Sequence, residues 1–200
     1  MGHPYIPEGY EFPEATRRIR YADTSDPVVK PVWDKLGFVQ DNLFRMLAHA
    51  PSTFGPLGDL VHAMLGNLAL DIRHRELAIM LVDHVRNARY GWSWHFTIAR
   101  DDADLSEEQL AAIQRGEIAS LLFTDEDRAI LAFIDEQIRN GVVSDATLAR
   151  ARPFLSDRQL IELIIVIGAY ALIGNVMETT ELQLEWEPEN PLARSPRVGG

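Results

Sequence analysis

The chain has 200 residues, with 19 Lys and Arg against 30 Asp and Glu and a formal charge of -11. That length fits one domain, or two small ones, and buries enough surface to hold a core without staples. It contains no Cys, which excludes thiol catalysis, zinc thiolate sites, iron–sulfur clusters and disulfides. The acidic balance without a long basic run argues against nucleic acid as a partner, although a local field can still admit a small anion. The first thirty residues hold Pro4, Pro7 and Pro13 among charges and no apolar stretch of the secretory kind, so a cytoplasmic protein is expected. Leu160 to Ile173 is the longest apolar stretch. It contains Glu162 and falls short of the ~20 residues a membrane span needs, so it is read as a buried core helix, and no membrane partner is expected.

Residues 1–26 carry prolines, the aromatics Tyr5, Tyr10, Phe12 and Tyr21, and a basic patch from Arg17 to Arg20. This composition predicts an extended N-terminal arm, either packed on something, such as a neighbouring subunit, or solvated. Asp26-Pro27 then opens a helix through Val28, Val32, Trp33 and Leu36. A short helix is predicted from Asn42 to Ala50, closed by Pro51. Ser52 caps a third with Phe54, Leu57, Leu60, Val61 and Leu65, ending near Gly66. The fourth, from about Arg73 to Asn87, holds the apolar block Leu77 to Val82; a helix apolar nearly all round is buried on most sides. A tight break at Tyr90-Gly91 leads into the fifth, which runs to about Arg100. Ser106-Glu-Glu-Gln109 and Thr124-Asp-Glu-Asp127 are start signals for two more helices, and Gly141 stops the second of these. Ser144 and Ser156 start a short helix and the long apolar one. Residues 187–200, with three prolines and two terminal glycines, read as a loose tail. No segment alternates polar and apolar residues over strand length. The expected fold is an all-α multi-helix bundle, with residues 27–186 as a single domain.

Chemistry concentrates between Arg73 and Ala99. Glu76 stands near the start of the fourth helix. On the fifth, Trp92, His95, Phe96 and Ala99 share one face by helical spacing. An imidazole on an apolar stripe needs a partner, because a buried polar group left unsatisfied costs roughly 1–3 kcal/mol. Glu76 is the natural candidate if the two helices form an antiparallel hairpin. Asp83 and His84, one turn from the helix end, read as solvent or subunit contacts. His62, His74 and Glu178 follow no known ligand spacing, so no metal is expected.

Arg-Glu-Leu-Ala-Ile (75–79), then Tyr90-x-Trp92-x-x-His95, then Ala99-Arg100 and the Leu-Ser-Glu-Glu-Gln helix start together resemble the carboxymuconolactone decarboxylase superfamily. Its hydroperoxidase-like branch places a glutamate, eleven residues, a Cys, two residues, a second Cys, three residues and a His. With that glutamate on Glu76, the cysteines fall on Ala88 and Gly91 and the histidine on His95. Tyr90 stands where the branch often has another His. The likeness extends to the Asp-Pro and Asn42-Leu-Phe-Arg-Met-Leu-Ala-His49 helical lead-in and to the apolar helix from Leu160. Two departures stand out. Without either Cys, a thiol–disulfide peroxidase cycle is impossible. Many thiol-free members carry Glu at the Gly91 position, and many lactone decarboxylases lack an acid at the Glu76 position, so the chain follows neither branch fully.

The resemblance implies a homo-oligomer, trimeric or hexameric. It also implies a cofactor-independent enzyme acting on a small carboxylated lactone, cyclic or enolisable acid, as a decarboxylase or as an isomerase or lyase. His95 is then the acid/base, Glu76 its orienting carboxylate and Tyr90 an auxiliary donor, with Trp92 and Phe96 lining the substrate pocket. Two blander readings stand beside these: a satisfied core His–Glu pair with core aromatics, and a degenerate oligomeric binding or scaffold protein of the same fold.

Overall fold

The structure, a computed structural model, describes residues 6–36 and 41–194; Tyr5 of the expected arm and the tail beyond Arg194 lie outside them. Among the described residues all regular structure is helical, apart from one isolated bridge between Ala15 and Arg20. The chain forms two compact units: the residues up to Asn67 with Val176–Glu187, and Leu68–Asn175 with Pro188 onward. The span 27–186 contributes to both.

The first unit holds α1 (Lys30–Leu36), α2 (Asn42–Leu47) and α3 (Pro51–Gly66). The Asp41 side chain caps α2 by accepting from the Phe44 amide, and Pro51 starts α3 where a missing N–H costs nothing. Phe54 is the buried anchor, its ring 6.1 Å from both Trp33 and Phe44. The arm packs on its own unit. Arg17 and Arg18 pair with Glu181, and the Arg45 guanidinium lies 4.4 Å over the buried Tyr21 ring and 5.1 Å over Phe12.

The second unit holds α4 (Ile72–Arg86), α5 (Arg89–Asp101), α6 (Glu107–Gln114), α7 (Asp125–Asn140) and α8 (Asp145–Ala151), and most of α9 (Asp157–Thr180). Leu77 to Val82 are all buried, so α4 is the central helix, packed against α5, α6 and α7. Both expected capping boxes form, at Ser106 and Thr124. The break between α4 and α5 lies at Asn87-Ala88, not at Tyr90-Gly91. Asn87 adopts the left-handed conformation (φ 55°) that ends helices, and the Ala88 amide closes back on the Asp83 carbonyl at 2.8 Å.

Two expectations change at the C-terminal end. With 24 residues, α9 is long and apolar enough to cross a membrane, yet 44% of its most apolar stretch is buried inside the fold. Leu163, Val166, Ile167, Tyr170 and Ile173 face inward, while Ile161, Ile165 and Leu172 are exposed; α9 is a core helix on one side only. Residues up to Arg194 are tied down rather than loose. A 3-10 turn at Pro191–Ala193 offers its carbonyls to Trp92, Ser93 and Gln114 at 2.7–2.8 Å.

Candidate active site

Helical spacing places Gly91 and His95 on one face of α5, and Glu76 and Asp83, two turns apart, on one face of α4. The hairpin brings these faces together. The fully buried Glu76 carboxylate takes His95 Nδ1 on one oxygen at 2.9 Å and Arg75 Nε on the other at 2.8 Å. On the far side of the imidazole, Nε2 lies 3.0 Å from the hydroxyl of Tyr170 on α9, whose ring meets the imidazole edge-on at 5.1 Å. Both ring nitrogens are engaged, and only 8% of His95 is exposed.

The electrostatics assign the protons. Burial pushes the Glu76 carboxyl up, but His95 and Arg75 outweigh it and hold the group below its ordinary value. An ionised carboxylate only accepts hydrogen bonds, so Nδ1 of His95 carries hydrogen. Burial, then the charges of Glu76 and Asp83, push the Tyr170 phenol well above its ordinary value, against Arg75. Tyr170 therefore keeps its proton, and with a neutral imidazole its O–H donates to Nε2. When His95 is protonated, Nε2–H donates to the phenol oxygen instead, freeing the phenol hydrogen for a third group. Glu76, His95 and Tyr170 thus form one chain along which a proton can be held and passed, with Arg75 anchoring the carboxylate end.

Of the residues marked from sequence, Glu76 and His95 meet directly. The Tyr90 ring is buried and tilted 6.2 Å from Trp94; the hydroxyl found at the imidazole is that of Tyr170. Trp92 is buried and donates its indole N–H to the Leu192 carbonyl at 2.8 Å. Phe96 is buried, with the Arg100 guanidinium 5.9 Å over its ring. Sequence reasoning missed Tyr170 because it lies 75 residues from His95 inside an apolar helix. The weak signal was a single phenol amid aliphatic neighbours.

Asp83 does not face solvent as expected. It is 1% exposed, and a Cβ added to Gly91 would lie 2.5 and 2.8 Å from its two carboxylate oxygens. His84 is half-buried, its imidazole lowered by burial and Arg139. His74 is buried with Nε2 3.2 Å from Glu126 on α7. No set of three or more His, Asp or Glu gathers as a metal would need among the described residues.

No protein-family model and no curated protein matches the chain. Solved structures do. An AhpD-core, peroxidase-related protein from Ralstonia eutropha JMP134 superposes with a TM-score of 0.65 at 20% identity, over 94% of this chain and 100% of that one. A peroxidase-related protein from Silicibacter sp. TM1040 gives 0.65 at 18% identity, over 86% and 95%. The debrominase Bmp8 gives 0.65 at 17%, over 87% and 92%, and its cysteine-to-alanine variant was solved in complex with 2,3,4-tribromopyrrole. The chain therefore has the all-helical fold of AhpD-like, peroxidase-related proteins, built without a single cysteine.

Proposed function

We propose that the chain is a thiol-free enzyme of the carboxymuconolactone decarboxylase superfamily that moves a proton on a small carboxylated lactone, cyclic or enolisable acid, with no cofactor. The observation that carries this reading is the buried Glu76–His95–Tyr170 chain. Loss of carbon dioxide from such a substrate leaves an electron pair delocalised into a neighbouring carbonyl as an enolate; where a C–H is broken instead, the Tyr170 oxygen takes that proton as its own passes to Nε2 of neutral His95, giving the same enolate and the imidazolium. The Tyr170 O–H bond then breaks and its proton goes to the enolate carbon. The Nε2 proton of protonated His95 passes to the phenol oxygen, leaving His95 neutral until it takes a proton from water; Glu76 stabilises the imidazolium before the transfer and holds Nδ1–H after it. The tribromopyrrole complex of a structural neighbour favours small flat rings as ligands of this fold, so halogenated pyrroles join lactones and enolisable acids in the screen.

Once a substrate is found, His95→Gln and Tyr170→Phe should each lower turnover by roughly 10²-fold or more, the usual weight of a positioned acid/base, with melting temperatures close to the parent. Full activity in either variant would remove the relay. The second reading, a catalytically inert binding or scaffold protein, is favoured by the completeness of the same network, which ties three helices together. It requires both variants to lose stability and no compound in the screen to turn over. The exposed side of α9 supports assembly into a homo-oligomer on either reading.

A further inference from the structure

Glu76, His95 and Tyr170 are all buried, and both imidazole nitrogens are taken. This leaves a lactone-sized molecule no surface to dock on at the phenol until some element moves aside. The helices of this unit hold one another by apolar packing, with α4 against α5, α6 and α7. The chain end is held differently. Residues 188–194 lie across α5 and α6, and three side chains fix them by their main-chain oxygens. The Leu192 carbonyl accepts from Trp92 Nε1 and from Gln114 Nε2, both at 2.8 Å, and the Ala193 carbonyl accepts from Ser93 Oγ at 2.7 Å. Asn190 donates to Glu107 at 2.8 Å and caps the turn by accepting from the Leu192 amide. Within the turn Pro191–Ala193, only Ala193 is buried. A few neutral hydrogen bonds with little apolar contact mark a segment that opens by itself, well before the fold does.

This strap covers Trp92, whose indole is fully buried and has its N–H on the strap carbonyl. Trp92 precedes His95 by three residues, about 60° round α5, so the indole borders the face that carries the imidazole. We propose that residues 188–194 are a lid on the relay, latched through Trp92. When the strap lifts, the indole loses its partner and its cover, swings off the α5 face, and opens His95 and Tyr170 to a small ring. The proposal rests on the proton-relay reading of the site. Ser93 Oγ and Gln114 Nε2 are freed by the same movement. They favour a ligand bearing carbonyl or carboxylate oxygens, the kind of group the strap itself offers them.

The test needs no substrate. Ser93→Ala combined with Gln114→Ala removes two of the latch bonds, and Asn190→Ala loosens the strap from its own side, so one can fail to fold without losing the test. Hydrogen exchange should show the Trp92 indole N–H opening ahead of the α4 amides of Leu77 to Val82 in the parent. In each variant it should open about tenfold faster again, with those amides unchanged. Diethyl pyrocarbonate labels accessible imidazoles, and mass spectrometry locates each label. Labelling of His95 should rise about tenfold in both variants, while His74, also buried, keeps its parent rate. A Trp92 indole that exchanges only together with the α4 amides overturns the lid. So does a His95 rate that stays unchanged in a folded variant, or that rises only in step with His74. Raised His95 labelling together with full turnover in Tyr170→Phe would instead overturn the relay reading and leave the lid standing, so the two failures are distinguishable.

Discussion

Glu76 is the residue on which the site turns, because its carboxylate is fully buried and still ionised. Its native acidity lies below the ordinary value, with burial opposed by His95 and Arg75. Such a group contributes stability that is fully present above its unfolded value of about 4.3 and is lost as pH falls through the lower, folded value. Glu76→Gln should cost about 3 kcal/mol at pH 7, since it leaves Arg75 and His95 without their shared anion. The gap between variant and parent should then narrow as the pH drops below about 4. Urea unfolding midpoints measured from pH 7 to pH 3 check this, and parallel curves would exclude it. This pair was legible in the sequence because both members lie on adjacent helices at a fixed spacing. Tyr170 and Asp83 were not. Tyr170 arrives from a distant helix, and Asp83 reads as an ordinary residue near a helix end until the hairpin turns it inward.

Among the elements, the two capping boxes were the most legible helix starts, since each is a local interaction between partners three residues apart, whereas α3 begins at Pro51 with no Ser52 cap and α1 at Lys30 rather than Pro27. The hairpin break was harder. Tyr-Gly suggests a turn, yet the chain turns at Asn87 in the left-handed conformation and keeps Gly91 inside α5, where its value is close approach rather than flexibility. Nothing local foretold the long-range lock between α4 and α7. Arg73 grips Asp127 through two bonds of 2.9 Å and reaches the carbonyls of Ala103 and Asp104 with its remaining nitrogen. Asp127 is also the buried end of the Thr124 capping box, so one carboxylate both starts α7 and anchors it to α4. Burial pushes its carboxyl up, but Arg73 and Thr124 prevail and the group sits below its ordinary value. Arg73→Ala should cost about 3 kcal/mol, because it strands the buried Asp127 carboxylate, and Asp127→Ala clearly less, because the Arg73 side chain is a quarter exposed and water can take over its bonds. The double variant should cost clearly less than the sum, because neither charge then remains alone. Chemical denaturation of the four proteins closes the cycle, and simple additivity would show that the two side chains act independently.

For the whole molecule, the informative feature is the side of α9 that the fold leaves bare. Ile161, Ile164, Ile165 and Leu172 are exposed, at 36–56%, and Gly168 lies between them without a side chain. They recur at helical spacing, so they form one continuous apolar stripe. The sequence showed the apolar length but not its sidedness, because a run of aliphatic residues has no polar face to reveal which side is buried. A stripe of this kind on a chain of net charge -11 would be a liability for a monomer. We propose that a second copy covers it, at low electrostatic cost because the stripe itself carries no charge. Sedimentation at low micromolar concentration should therefore give a multiple of the 22.6 kDa chain mass. Leu172→Glu and Ile165→Glu should each shift the protein toward the monomer while leaving its helix content intact, because both side chains point away from the core. Since Tyr170 lies on the same helix, facing inward, dissociation should also loosen the relay and lower any turnover. A parent protein that sediments as a clean monomer would remove assembly from the account. Partition of that monomer into lipid vesicles through the same stripe would then make a membrane surface, rather than a second copy, the partner of α9.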